Sequence, residues 1–240
     1  MKSYAALAVL SLLSYVEGRT FTVRNACPFT IWPAVYTDLK VGTAVPDIET
    51  GWEAPANSSR SFHVPDNWKA GRIWGRRDCN FSVNPGPNSC ITGGCNGGLL
   101  CDNTTGTGVP PATLAEWTLS GDGNRDFYDV SLVDGYNLPM AITTSSECPV
   151  ADCPTDLAPN CPAELMTKDA NGLHEFAQLL LWPIQYTRDL SSSGIQFYDY
   201  FKKGCPNSYV YAYDESSNTA LWTCDSTRQV DYTLTFCPPS

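Results

Sequence analysis

Eleven cysteines constrain this chain more than any other feature of its 240 residues. They stand at positions Cys27, Cys79, Cys90, Cys95, Cys101, Cys148, Cys153, Cys161, Cys205, Cys224 and Cys237. In an oxidising compartment such a set forms disulfides, and the odd number leaves at least one thiol outside intramolecular bridges. Zinc is a poor alternative, because the chain has no Cys-x-x-Cys pair and its two histidines, His63 and His174, lie far apart. We therefore expect a disulfide framework and no metal site.

The N-terminus indicates export from the cell. Lys2 precedes an apolar run that ends at Leu13 and is too short to span a bilayer. Val16 and Gly18 suit the −3 and −1 positions of a cleavage site. We predict that residues 1–18 are a signal peptide and that the mature protein is secreted, extracellular or in the cell wall. A membrane anchor is the less favoured alternative, and no later run is long enough for a transmembrane segment.

The mature chain is acidic. The formal net charge of −10 does not change when residues 1–18 are removed, because Lys2 and Glu17 cancel. A surface of this sign repels phosphate backbones and anionic lipid, so nucleic acid is an unsuitable partner. We expect a monomer without a cofactor. Three Asn-x-Ser/Thr sequons predict exposed glycosylation sites, at Asn57, Asn80 and Asn103.

Residues 19–240 predict one all-β domain. Apolar and polar residues alternate at 20–25 and again at 230–236, which is the pattern of half-buried strands near both chain ends. The pattern breaks over about 148–205, where we predict a smaller, disulfide-rich lobe of loops and short helix. A helix is expected over 195–203.

Two runs further along predict a hairpin. Residues 113–119 and 127–132 both alternate, and the loop between them, GDGNRD, is rich in turn residues. If the strands pair, both apolar faces must point to the same core, because a slip of one residue would bury the wrong side. The permitted register places Trp117 near Tyr128.

The same register brings acidic residues together on the other face. Glu116 is then opposite or diagonal to Asp129, and Asp134 follows at the end of the second strand. Like charges that face each other destabilise a sheet, so a cation is needed, and Arg72 or Arg76 could supply it. The alternative is that these acids form an ordinary solvated face.

Several long segments resemble the thaumatin-like proteins over nearly the whole mature chain. The matching segments are TVRNACPFTIWPA, GRIWGRRDCNF, PPATLAEWTL, DFYDVSLVDGYNLPM and YTLTFCPP. The resemblance implies a flattened β-sandwich, a smaller disulfide-rich loop and helix lobe, and an acidic cleft between them. The small lobe is shorter here than in the family, and its sequence over 168–189 differs from the family pattern. Gly94 and Asn88 also depart from the family pattern.

The resemblance also implies a disulfide pairing that the residues alone leave open. The implied bridges are Cys27–Cys237, Cys79–Cys90, Cys95–Cys101, Cys148–Cys224 and Cys153–Cys205. Cys161 matches a family cysteine whose usual partner is missing, so it is the candidate for the unpaired thiol. A buried cysteine that packs as a small hydrophobe is favoured over an intermolecular bridge.

The resemblance implies five residues that line the cleft: Arg72, Glu116, Asp129, Asp134 and Asp214. We expect an endo-β-1,3-glucanase, in which Glu116 is the general acid and Asp134 the base or nucleophile. Asp129 and Asp214 would tune the field, and Asp129 would raise the pKa of Glu116. The alternative is a non-catalytic glucan-binding or antifungal defence protein. Either function implies β-1,3-glucan or another cell-wall polysaccharide as the partner.

Overall fold

The computed structural model describes residues 18–82, 86–168, 175–177 and 195–239. Nearly all of the predicted signal peptide lies outside these ranges, and its boundary stays a prediction. The strands are β1 Gly18–Asn25, β2 Trp32–Thr37, β3 Ser59–Pro65, β4 Gly71–Arg76, β5 Leu114–Gly121, β6 Arg125–Ser131, β7 Met140–Thr144, β8 Ala151–Cys153, β9 Met166–Lys168, β10 Glu175–Ala177, β11 Trp222–Asp225 and β12 Tyr232–Phe236. The helix α1 is Tyr198–Gly204.

The described strands form two five-stranded sheets and one two-stranded sheet. The first large sheet has the order β3-β1-β12-β7-β8, and the second has the order β11-β6-β5-β4-β2. Strands β9 and β10 form the small antiparallel pair. The prediction of an all-β sandwich is therefore confirmed.

The first and last described strands lie side by side in the first sheet. Strand β1 pairs in parallel with β12, with Phe21 next to Tyr232. Both predicted terminal strands are confirmed by this pairing. The disulfide Cys27–Cys237 joins the chain directly after the paired segments, across a sequence separation of 210 residues.

The predicted hairpin is formed by β5 and β6 in the second sheet. Trp117 lies opposite Tyr128, and Glu116 lies directly opposite Asp129. Ala115 and Trp117 are 0% and 2% exposed, so alternate residues of β5 face the core as the pattern predicts.

Aromatic rings hold the two sheets together. The ring centroid of Phe21 lies 5.2 Å from that of Trp117 in the other sheet, and 5.0 Å from that of Tyr232. Tyr128 in turn lies 5.4 Å from Tyr232, and Trp68 stacks on Trp117 at 6.0 Å. Such pairs add about 0.5–1.5 kcal/mol each to the burial of their surface. These rings lie on the core face of β5 and β6, behind Glu116 and Asp129.

Five disulfides join the same pairs that the family resemblance implies: Cys27–Cys237, Cys79–Cys90, Cys95–Cys101, Cys148–Cys224 and Cys153–Cys205. Cys161 lies outside these bridges and is buried. The side chains of the three sequon asparagines are exposed, as an acceptor site requires: Asn57, Asn80 and Asn103.

Part of the small lobe is described. It contains β8, a short 3-10 turn at Ala158–Asn160 and the paired strands β9 and β10. The helix expected over 195–203 is present as α1, with Phe201 fully buried. The rest of this lobe, residues 169–174 and 178–194, lies outside the described ranges. Among the described helices, none is both long and apolar enough to cross a membrane.

A buried ion network links β1 to β6. Arg19 is 1% exposed and its guanidinium donates to both carboxylate oxygens of Asp126, which is fully buried. Arg19 also pairs with Asp66 at 2.7 Å. The Tyr232 hydroxyl and the Ser120 N–H donate to Asp126 as well, at 2.9 and 3.0 Å. The intact network contributes little net free energy of folding, because burying its charges offsets most of their attraction. Removing one partner is strongly destabilising, because it leaves the other charge buried and unpaired.

Loss of the terminal disulfide should destabilise the fold strongly. We expect the double substitution Cys27→Ala and Cys237→Ala to lower the free energy of unfolding by about 5 kcal/mol, because the bridge closes a very long loop. Removing Cys95–Cys101, with a separation of only 6 residues, should cost about 2 kcal/mol. Denaturant unfolding measures both, and equal losses would contradict the loop-length account.

Arg19→Ala should lower the free energy of unfolding by about 3–5 kcal/mol, since it leaves the buried Asp126 carboxylate without its cation. Arg24→Ala on the same strand is the matched control, because Arg24 is exposed. Its effect should stay within about 0.5 kcal/mol. Similar losses in the two variants, measured by urea titration, would show that the network does not carry the stability assigned to it.

Candidate functional site

One row of residues crosses four strands of the second sheet. Tyr36 pairs with Arg72, Arg72 with Glu116, and Glu116 with Asp129. Because side chains alternate along a strand, these four project from the face opposite the aromatic core. The row is thus a direct consequence of burying Trp117 on the other side of β5.

A cavity of about 300 Å³ lies on this face, and we call it the carboxylate pocket. Its lining contains one cation and four acids, two of them on the row and two on neighbouring turns. The lining residues are Arg72, Leu114, Glu116, Asp129, Ser131, Val133, Asp134, Tyr209, Ala212 and Glu215.

Arg72 is the cation that offsets the repulsion between the acids of the carboxylate pocket. Its Nη2 lies 3.1 Å from Oε1 of Glu116, and its Nη1 lies 3.8 Å from Oδ2 of Asp134. The side chains of the two acids remain 31% and 41% exposed, so both can reach a ligand. The guanidinium therefore joins two carboxylates that would otherwise repel each other.

The alternative cation, Arg76, has a different role. It is fully buried, and its guanidinium donates to the backbone carbonyls of Trp32, Pro33, Gly98 and Leu99. Burial lowers the pKa of Arg76 to about 10. The choice that the sequence left open is thereby decided in favour of Arg72.

The carboxyl groups of the row differ in their affinity for protons. Burial raises the pKa of Glu116, Arg72 lowers it and Asp134 raises it, with a net upward shift. Burial raises the pKa of Asp129 well above the ordinary value, the charge of Glu116 adds to the rise, Arg72 opposes it and Glu215 adds again. The buried Oδ1 of Asp129 has no hydrogen-bond partner among the described residues.

The pKa of Glu116 is raised, in the direction expected, with burial as the largest cause and the charge of Asp134 adding to it. The charge of Glu116 in turn adds to the raised pKa of Asp129, of which burial is again the largest cause. Repulsion between two neighbouring carboxylates disfavours the charged form of both groups.

The structure does not place Asp214 in the lining of the carboxylate pocket, and that expectation is wrong. Asp214 is 1% exposed. Its carboxylate accepts from the Tyr198 hydroxyl at 3.0 Å, from Lys202 Nζ at 2.9 Å and from the Val210 N–H at 3.1 Å. These three donors hold Asp214 inward at the start of a short 3-10 turn, Asp214–Ser217.

Two residues that the sequence analysis missed take part in the lining, Tyr209 and Glu215. The Tyr209 hydroxyl donates to Oε1 of Glu215 at 3.1 Å. The backbone of Tyr209 is held on the second sheet, because its N–H donates to Val130 O and its carbonyl accepts from Leu132 N. The two adjacent acids Asp214 and Glu215 indicated in the sequence that one of them could reach the pocket. Alternation of residues does not predict which of two neighbours in a turn faces outward.

Within the described ranges, no group of three or more His, Cys, Asp or Glu side chains is arranged to hold a metal ion. The lining of the carboxylate pocket supplies carboxyl groups, one guanidinium and the hydroxyl-bearing residues Ser131 and Tyr209. Carboxyl groups with different proton affinities at one site can serve as an acid and a base in the same reaction.

Comparison with known proteins gives a consistent result. A model described as the Thaumatin family matches residues 25–178 and 184–238. The chain is 37% identical over 256 residues to "Pathogenesis-related protein 5" of Arabidopsis thaliana, covering 99% of this chain and 100% of that protein. It is 40% identical over 250 residues to "Pathogenesis-related thaumatin-like protein 3.5" of Cryptomeria japonica, covering 98% of each.

Among solved structures, one match is the thaumatin-like xylanase inhibitor TLXI. Its TM-score is 0.46 and its sequence identity 21%, and the match covers 91% of this chain and 99% of that one. That similarity is too low to support an argument about function.

Asp129→Asn should change how stability depends on pH. The folded-state pKa of Asp129 lies above its unfolded value, so the stability it contributes is full below about pH 4 and is lost as pH rises through the folded pKa. Asparagine cannot ionise and avoids this loss. We expect the variant to gain stability over the parent progressively from about pH 4 to neutrality.

Urea unfolding at a series of pH values measures the difference. Asp122→Asn is the control, because Asp122 is exposed in the turn between β5 and β6. Its stability curve should run parallel to that of the parent. A parallel curve for Asp129→Asn would contradict the raised pKa of Asp129.

Proposed function

The chain belongs to the thaumatin family, and we propose that it is a secreted β-1,3-glucan-directed protein that hydrolyses glycosidic bonds in its carboxylate pocket. One observation carries the proposal: Arg72 joins two partly exposed carboxyl groups, Glu116 and Asp134, in a single cavity. Hydrolysis of a glycosidic bond requires two carboxyl groups of this kind.

Glu116 is proposed as the general acid. Its net pKa shift is upward, chiefly through burial, which favours the protonated form that the reaction needs. Its side chain is still 31% exposed, so the proton can reach a bound sugar. As the C1–O bond breaks, Glu116 gives its proton to the leaving glycosidic oxygen.

Asp134 is proposed as the second carboxyl group. Its Oδ2 lies 3.8 Å from Nη1 of Arg72, and its side chain is 41% exposed, so it can reach a bound sugar. The carboxylate then either attacks C1 or removes a proton from an attacking water. In both routes one water is consumed and both carboxyl groups return to their starting states.

The remaining pocket acids are proposed to shape the field and not to exchange protons with the sugar. Burial and the charge of Glu116 on the neighbouring strand raise the pKa of Asp129, which favours its neutral form and reduces the negative charge in the pocket. Glu215 accepts from Tyr209 at the far wall. Asp214 acts from behind the lining by holding the turn that carries Glu215.

Secretion and glycosylation are part of the same proposal. The N-terminal signal pattern, the disulfides and the three exposed sequon asparagines all suit an extracellular protein. Two relatives carry "pathogenesis-related" in their names. A role in defence against organisms whose walls contain β-1,3-glucan is consistent with these names, and an antifungal action would follow from it.

Glu116→Gln tests the assignment of the acid. Glutamine keeps the shape but cannot donate the proton, so the rate of hydrolysis of a linear β-1,3-glucan should fall by about 10²–10⁴-fold. Binding to insoluble glucan should persist. Glu53→Gln is the control, because Glu53 is an exposed glutamate outside the pocket lining, and its rate should equal that of the parent. Release of reducing sugar measures the rates.

Three results would each lead to a different conclusion. An active parent whose rate is unchanged in Glu116→Gln would remove Glu116 from the role of acid. A parent that binds glucan without hydrolysing it would establish the alternative, a non-catalytic glucan-binding protein. A parent that neither binds nor hydrolyses the polymer would overturn the proposed function.

A further inference from the structure

A second cavity of about 370 Å³ adjoins the carboxylate pocket, and we call it the aromatic cavity. It shares Arg72, Glu116 and Asp129 with the pocket. The residues that belong to it alone are Tyr36, Asp38, Ala70, Gly71, Thr107, Trp117, Thr118, Phe127 and Leu221. The shared residues are members of the row across the sheet, so the row separates the two cavities.

The strand register shows how the cavities are arranged. On β5, Leu114 lines the carboxylate pocket and Thr118 lines the aromatic cavity, with Glu116 between them. On β6, Ser131 and Phe127 stand on the two sides of Asp129 in the same way. Four residues of strand span about 13 Å. The cavities therefore form one groove along β5 and β6, with the acids near its middle.

The two halves of the groove differ in chemistry. The carboxylate pocket has four acids, whereas Asp38 is the one acid found in the aromatic cavity alone. The other groups that distinguish this cavity include the partly exposed rings of Tyr36 and Phe127 and the hydroxyls of Thr107 and Thr118. Rings beside hydroxyl and carboxyl groups fit a neutral ligand that has both apolar faces and hydroxyl groups.

The two rings are held in place. The Tyr36 hydroxyl donates to the Thr104 carbonyl at 3.2 Å. The Phe127 ring lies against Gly121, where an added Cβ would stand 2.9 Å from Cε2 of the ring. The Arg125 guanidinium lies 5.1 Å from the centre of the same ring. A ring that is already fixed loses little entropy when a ligand stacks on it.

We infer that the aromatic cavity is a sugar-binding subsite, in which Phe127 and Tyr36 bind glucose residues of a glucan chain on one side of the acids. The inference rests on the proposed function and extends it. A chain that lies along β5 and β6 passes over Glu116 with residues bound on both sides. The susceptible bond is then inside the chain, and ligands long enough to cover both cavities bind more tightly than short ones.

Binding of uncleavable, sulfur-linked β-1,3-glucose oligomers of three and seven residues tests the subsite by calorimetry. The parent should bind the longer oligomer more tightly. Phe127→Ala should weaken binding of the longer oligomer by about threefold to tenfold, the usual contribution of one aromatic contact. Phe127→Tyr keeps the ring and should bind like the parent. Tyr213→Ala is the control, because Tyr213 is 56% exposed and outside the lining of both cavities.

Thermal unfolding of each variant shows whether it folds. If Phe127→Ala does not fold, Tyr36→Ala tests the other ring. Equal affinity of the parent for both oligomers would overturn the subsite while leaving the proposed function intact. The subsite would also be overturned if folded Phe127→Ala bound the longer oligomer as tightly as the parent. The same result for folded Tyr36→Ala would overturn it where Phe127→Ala does not fold. A parent that binds neither oligomer would overturn the subsite and the proposed function together.

Discussion

Burial of aromatic side chains between the two sheets is the constraint on which the rest of the structure depends. Trp117 and Tyr128 lie opposite each other on β5 and β6 and pack against rings of the first sheet. Because side chains alternate, a slip of one residue would bury the wrong face of the hairpin. With Trp117 opposite Tyr128, Glu116 faces Asp129 on the other side of the sheet. The like-charge pair is thus a consequence of core packing.

The molecule limits the cost of this pair in two ways. Arg72 stands on the adjacent strand in the same row and joins Glu116 to Asp134. Burial and the charge of Glu116 raise the pKa of Asp129 well above its ordinary value. Burial and the charge of Asp134 raise the pKa of Glu116, and Arg72 opposes both shifts. A raised pKa favours the protonated form that a general acid needs, so the core packing and the proposed role of Glu116 have one origin.

Disulfides and a buried ion network hold the frame in which this row lies. Arg19 and Asp126 tie the first strand to β6, and the Cys27–Cys237 bridge joins the chain ends across the first sheet. The segment that runs from Tyr209 to Glu215 is joined to the second sheet by the backbone hydrogen bonds of Tyr209, and to α1 by the ion pair between Asp214 and Lys202. A rigid frame allows charged side chains to converge without rearranging to avoid each other.

The sequence by itself determined the all-β class, the terminal strands and which faces of β5 and β6 point to the core, because these depend on local alternation and on which face is apolar. The structure decided that Glu116 lies directly opposite Asp129 and not diagonal to it. Family resemblance supplied the disulfide pairs and the identity of Arg72, Glu116, Asp129 and Asp134 as a group. Only the tertiary structure decided that Arg72 and not Arg76 reaches the acids. It also placed Glu215 in the pocket and turned Asp214 inward. Those choices depend on donors from distant segments, such as Lys202 for Asp214 and the carbonyls around Arg76, and no local pattern encodes which of two neighbouring charges such donors will bind.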